Sequence, residues 1–118
     1  MAKNYRKTGD VVTLTAPSGG VVSGMLYVIG GLPVVALNSA AQGAQFEGKT
    51  TGEFDLPKVG SQGWQEGQRV NWNASGGVCS TAATAGFFPI GVATQVVGSG
   101  AGETTGRVRL NGVGVAAL

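Results

Sequence analysis

The chain has 118 residues and 11.8 kDa, enough for one domain with one modest core and too short for two. Charged residues make up 12%, about half the usual share, Gly accounts for 22 positions, and mean hydropathy is positive; so sparse a charge predicts that neighbouring subunits cover part of the exterior. The net charge of +2 is confined to one end: Lys3, Arg6 and Lys7 lie in the first seven positions, and the remainder carries five basic against six acidic residues, which argues against a nucleic-acid-binding face.

There is no His, so the usual general base and the commonest metal ligand are both missing. Cys79 is alone, which forbids an internal disulfide and reads as a small buried apolar residue. Val11 to Phe46 and Val70 to Gly102 carry no charge, but Gly, Pro and β-branched residues break both runs, so neither reads as a membrane-spanning helix. The polar start MAKNYRKTGD does not read as a signal peptide. A soluble protein made in a cytoplasm is the expectation.

Residues 1 to 10 lack apolar periodicity and read as an extended arm, with Tyr5 as one aromatic anchor among charges; residues 11 to 118 read as the domain. From Val11 the period is two: Val12 and Leu14 face one way, and Val11, Thr13 and Thr15 the other, until Ala16 to Gly20 turns the chain. Val21 to Ile29 continues as strand, interrupted at Ser23-Gly24. Gly30-Gly31-Leu32-Pro33 reads as punctuation and Val34 to Leu37 as the next strand. Asn38 to Gly43 is a loop, and Ala44 to Thr51 a strand with Phe46 inward and Glu47 and Lys49 outward.

Glu53 to Leu56 alternates strictly, Phe54 and Leu56 against Glu53 and Asp55, and Pro57 ends it. Carboxylates at i and i+2 can do acid–base chemistry, but nothing else here supplies a reaction centre, so a solvated strand face is the better reading. Gly60 to Gly67 is a loop pinned by Trp64, and Gln68 to Trp72 a strand with Val70 and Trp72 on one face. Asn73 to Gly77 then turns the chain into Val78 to Ser80. Phe54, Leu56, Trp64, Val70 and Trp72 are the expected core anchors. Thr81 to Gly86 is a loop or a short helix, Ile90 to Val97 the last long apolar strand, and Arg107 to Leu110 alternates basic outside with Val108 and Leu110 inside. The apolar end NGVGVAAL is expected to tuck against the sheet or a neighbour. The total is eight to ten short strands, an all-β barrel or sandwich with an N-terminal arm.

GSGAGETTG imitates a phosphate-binding loop. The imitation fails at its chemistry: Val97 stands where the first Gly belongs, Glu103 replaces the Lys, and no helix follows.

The ordered set AKNYRKTGD, VVTLTAPSGGVVSG, FDLPK, GWQEGQRVNWN, IGVATQ and TTGRVRLNG resembles a family of small tailed-phage capsid decoration proteins, also called cement proteins. The resemblance implies a non-enzymatic β subunit without cofactor or metal, trimeric on the outer capsid surface and bound to the major capsid protein. No role for nucleic acid or membrane is implied. Its arm, Ala2, Lys3, Asn4, Tyr5, Arg6 and Lys7, would reach over the adjoining capsid protein. The alternatives are another virion subunit (tail tube, fibre or shell), a nucleotide-binding accessory protein suggested only by the Gly98 to Gly106 loop, and a generic binding module.

Overall fold

The computed structural model describes residues 8–118, which form nine strands and no helix. In chain order these are β1 Val11–Thr15, β2 Leu26–Ile29, β3 Leu32–Ala36, β4 Gln45–Lys49, β5 Thr51–Pro57, β6 Arg69–Asn73, β7 Val78–Ser80, β8 Phe88–Ala93 and β9 Thr105–Asn111. They build two antiparallel sheets, β1-β4-β3-β2 and β5-β9-β8-β6-β7, so the all-β expectation and its strand count hold. The arm residues Ala2 to Lys7 lie outside the described residues.

The four-stranded sheet follows from period-two patterning plus one tight turn. Val12 and Leu14 are half-buried on the same face of β1, while Thr13 and Thr15 are exposed. β2 and β3 meet through Gly30-Gly31, whose φ angles of 61° and 106° suit the two-residue hairpin turns that match strand twist. Leu32 and Pro33, expected as part of that turn, are already strand. Pro33 is tolerated because β4 pairs with β3 only at Val35 and Ala36, so no β4 carbonyl waits for its missing N–H. β3 is buried on both faces, as its unbroken apolar run Val34-Val35-Ala36 allows.

Thr50 passes the chain from one sheet to the other. Its N–H donates to the Asp10 carbonyl at 2.8 Å, and its Oγ1 lies 3.1 Å from the carbonyl oxygens of both Gly9 and Asp10. These contacts hold the residues leading into β1 against the sheet junction. β5 then runs the full length of β9, with seven register pairs from Thr51↔Asn111 to Pro57↔Thr105.

In β6 the register shifts between Val70 and Asn71, and Val70, Asn71 and Trp72 are all buried in succession. A bulge bends the strand there: Val70 and Trp72 both reach the intersheet cluster, in keeping with their shared face, and Asn71 between them is buried as well. Asn71 meets its burial with a hydrogen bond from Nδ2 to the Ala82 carbonyl, 3.0 Å.

β8 also departs from the sequence pattern. It begins at Phe88, includes Pro89 and ends at Ala93, so Val96 falls outside it and is 58% exposed. Its partner β6 begins only at Arg69, and the preceding loop of residues 60–68 takes over: Val97 pairs only with Trp64, through N–O distances of 2.9 and 3.1 Å. Thr81 to Gly86 forms turns and bends without helix. The C-terminal stretch is tied back within the chain, with the Val115 N–H on the Gly31 carbonyl at 2.7 Å and the Leu118 N–H on the Phe87 carbonyl at 2.8 Å.

Apolar side chains gather in two clusters. The larger lies between the sheets and joins Leu26 and Val35 to Leu56, Trp64, Val70, Trp72, Ile90, Val108 and Leu110. The smaller covers the other face of the four-stranded sheet, where Val34, Ala36 and Phe46 sit under Ala16, Val21 and Ala40 of the loops.

Candidate functional site

The most constrained chemistry sits where the edges of the five-stranded sheet touch. Pro57 closes β5 and delivers Lys58 to a parallel bridge with Cys79 of β7, next to a hydrogen bond from the Val59 N–H to the Cys79 carbonyl at 3.0 Å. Lys58 is 1% exposed. Its Nζ donates to the backbone carbonyls of Val59 at 2.8 Å and Glu103 at 3.1 Å, and lies 5.6 Å from the centroid of the Trp64 ring. Two carbonyl dipoles and a π face replace the water that an ammonium needs. Burial still lowers the Lys58 pKa below its usual value, and the nearby Glu103 carboxylate partly opposes that shift.

Trp64 is wholly buried, and its Nε1 donates to Gln62 Oε1 at 2.9 Å. The same oxygen accepts the Thr81 N–H at 2.9 Å, while Gln62 Nε2 donates to Ser80 Oγ at 3.1 Å. This network fastens the loop of residues 60–68 to the end of β7. Gly106 completes the socket: a side chain there would run into the Trp64 ring. Lys58 and Ser80 are committed to such contacts, and the cluster holds the loops together.

The remaining sequence candidates separate. Leu56, Val70 and Trp72 are buried in the intersheet cluster, and Phe54 packs against it while half-buried. Glu53 and Asp55 are exposed, with Arg107 Nε 4.0 Å from Glu53 Oε1 and 3.3 Å from Asp55 Oδ1. That is a solvated cross-strand ladder, and ion pairs this exposed contribute little. Along the Gly98 to Gly106 loop, the Glu103 side chain packs against Gly98 and Gly100, placing negative charge where a phosphate-binding loop needs positive charge. Among the described residues no group of His, Cys, Asp and Glu could hold a metal ion.

Cys79 is fully buried beneath this junction, and burial pushes its thiol up to about 12. The thiolate is the reactive form, so alkylation of the native protein at pH 8 should be slower than that of the denatured protein by at least two orders of magnitude. Timed labelling followed by mass spectrometry measures it; equal rates would show the junction to be open.

An apolar groove of about 470 Å³ lies along β2, between Met25 and Val28 on one side and Trp72 and Phe88 on the other. No charged residue lines it. Sequence reading missed both this groove and the burial of Lys58. Only the absence of charge from Val11 to Phe46 hinted at the groove, and nothing local to FDLPK signals a buried ammonium.

Comparison with known proteins gives one family. No curated protein and no solved structure matches the chain. The model of the phage cement protein family matches residues 6–110, a span that contains every strand but the last residue of β9. The Lys58 junction that ties loops together, the uncharged groove and the two-sheet β architecture fit a structural, capsid-associated role. By that match over most of its length, the chain belongs to the phage cement protein family.

Proposed function

We propose that this protein binds the outside of a phage capsid as a trimer, contacts the major capsid protein, and holds the shell against the pressure of packaged DNA. The observation that carries this is the family match over residues 6–110, in a chain with only 12% charged residues. A cement acts by burying surface across joints between shell subunits, which requires binding faces and no chemistry. Phe54, Leu56, Trp64, Val70 and Trp72 anchor the subunit so that its faces stay rigid. The protein works without cofactor, nucleic acid or membrane, and is made in the host cytoplasm before it joins the virion.

The arm residues Ala2, Lys3, Asn4, Tyr5, Arg6 and Lys7 supply the tether. Once one arm of a trimer is engaged, the others bind at raised effective concentration, so modest single contacts add up to durable attachment. Deleting residues 1 to 8 spares Gly9 and Asp10, whose carbonyls accept from Thr50. The truncated protein should melt within a few degrees of the full chain and lose capsid binding by at least tenfold. Co-sedimentation with decoration-free heads tests it, and full retention of binding would contradict the tether.

A further inference from the structure

We propose that copies of this chain join edge to edge, with β1 of one copy adding as a strand beside β2 of the next. The idea rests on the trimer reading above for the number of copies, and the open edges themselves supply the joint.

Among the described residues β1 pairs only with β4 and β2 only with β3, so the four-stranded sheet ends in open edges on both sides. Natural monomers blunt such edges with charges, prolines or bulges. Neither VVTLT of β1 nor LYVI of β2 contains a charge or a proline. The other sheet is guarded: β5 carries Glu53, Asp55 and Pro57, and its end bridges to β7 at Lys58↔Cys79. The edge strand β7 is also uncharged, but its bridge to Lys58 covers it, so β1 and β2 are the edges left both uncharged and unbridged among the described residues.

The open edges also complement one another. Hydrogen-bonded pairs alternate along an antiparallel ladder. The Thr50 N–H bonds to Asp10 and the Ala16 N–H to Ala44, at even positions of the β1 segment, so the N–H groups of Val11, Thr13 and Thr15 point away from β4. On β2 the Ala36 N–H bonds to Met25, an odd position, which leaves Leu26 and Val28 pointing away from β3. Each edge therefore offers donors and acceptors to the other.

Side chains agree with the backbone. Val12 and Leu14 of β1 and Tyr27 and Ile29 of β2 are half-buried in one apolar cluster on the same face of the sheet. A neighbour's β1 laid beside β2 continues that face across the joint. On the opposite face its Val11, Thr13 and Thr15 meet the uncharged groove walled by Met25, Val28, Trp72 and Phe88. Pairing β1 with β2 is head-to-tail, the arrangement that closes into rings, whereas β2 against β2 would give only a two-fold dimer.

The test is the solution mass of the full chain by analytical ultracentrifugation. Thr13→Pro removes an outward N–H from the β1 edge and Val28→Pro removes one from the β2 edge, each leaving the internal ladder intact. Thermal melting checks that both fold, and Ile29→Lys serves as a second β2 block should Val28→Pro fail to fold. Wild type is expected at three times the chain mass and each blocked variant at one. An equimolar mixture of the two variants should run as a dimer, because one unblocked joint remains between them. A monomeric wild type, blocked variants that keep the wild-type mass, or a Thr13→Pro protein that dimerises alone would each overturn the proposal. A wild type that assembles as described but ignores capsids would remove the capsid role and leave the joint standing, so the two fail separately.

Discussion

Trp64→Ala should lower stability by about 3–5 kcal/mol, the usual cost of emptying a large aromatic site in a core. Trp64 is 0% exposed and closes the intersheet cluster from a loop, where it also bridges to Val97 and hydrogen-bonds Gln62. Alanine removes the ring, the indole donor and the π face beneath Lys58 together. Against a typical total of about 5–15 kcal/mol, that loss leaves a small domain near its unfolding threshold. The melting temperature should fall by about 12 °C or more. Gly106→Ala probes the same socket from the other side. Gly106 pairs with Leu56 in the longest ladder of the fold, so its backbone cannot retreat, and an added methyl would strike the Trp64 ring. Thermal denaturation of both variants checks the account; a Trp64→Ala protein that melts within about 3 °C of wild type would show that the socket is not a main support of the fold.

Lys58→Met should cost about 1.5–3 kcal/mol, the range for hydrogen bonds to a charged group. Methionine keeps most of the stem's packing but leaves the carbonyls of Val59 and Glu103 without that donor. Because the Glu103 contact spans 45 positions, its loss should also free the Gly98 to Glu103 loop and raise amide exchange there first.

The pH dependence has a definite sign. The folded-state pKa of Lys58 lies below the ordinary lysine value of 10.5, so between the two the unfolded chain binds more protons than the folded one. Stability contributed through Lys58 therefore rises with pH across that window and levels off above it. A neutral amine still has two N–H groups for the two carbonyls and no longer carries the desolvation penalty. The gap between wild type and Lys58→Met should accordingly widen from pH 8 to pH 10 in denaturant titrations. A gap that narrows would mean that the ammonium is better solvated in the folded protein than in water.

Much of the fold was legible because it depends on short-range pattern. Alternation in Val11–Thr15 and in Arg107 to Leu110, and the turn residues Gly30-Gly31 and Asn73 to Gly77, read directly as strands and hairpins. Strand ends were less legible, and the prolines show why. Pro57 does end β5, but Pro33, which looks like punctuation, lies within β3 where β4 is not paired, and Pro89 lies within β8 opposite the register shift of β6. Whether a proline's absent N–H matters depends on the strand opposite, which is information held far away in sequence. Lys58 is the extreme case. A lysine after proline reads as exposed, and only the return of residues 103–104 to the end of β5 buries it. The bulge in β6 likewise depends on β8, so the inward turn of Asn71 carries no local signal.

The role in the virion was legible through the ordered motifs from VVTLTAPSGG to TTGRVRLNG, and the family match rests on the same span. The low share of charged residues, 12%, agrees with a capsid-associated role. The uncharged β1 and β2 edges and the groove beside them give that sparseness a location on the molecule.

The most direct measurement is sedimentation of the purified full-length protein with and without expanded heads that lack decoration. A cement protein should pellet saturably with the heads, in a number of copies per head divisible by three, and the decorated heads should withstand heating that ruptures bare ones. Protein that stays in the supernatant at every concentration, with no change in head rupture, would contradict a capsid-stabilising role.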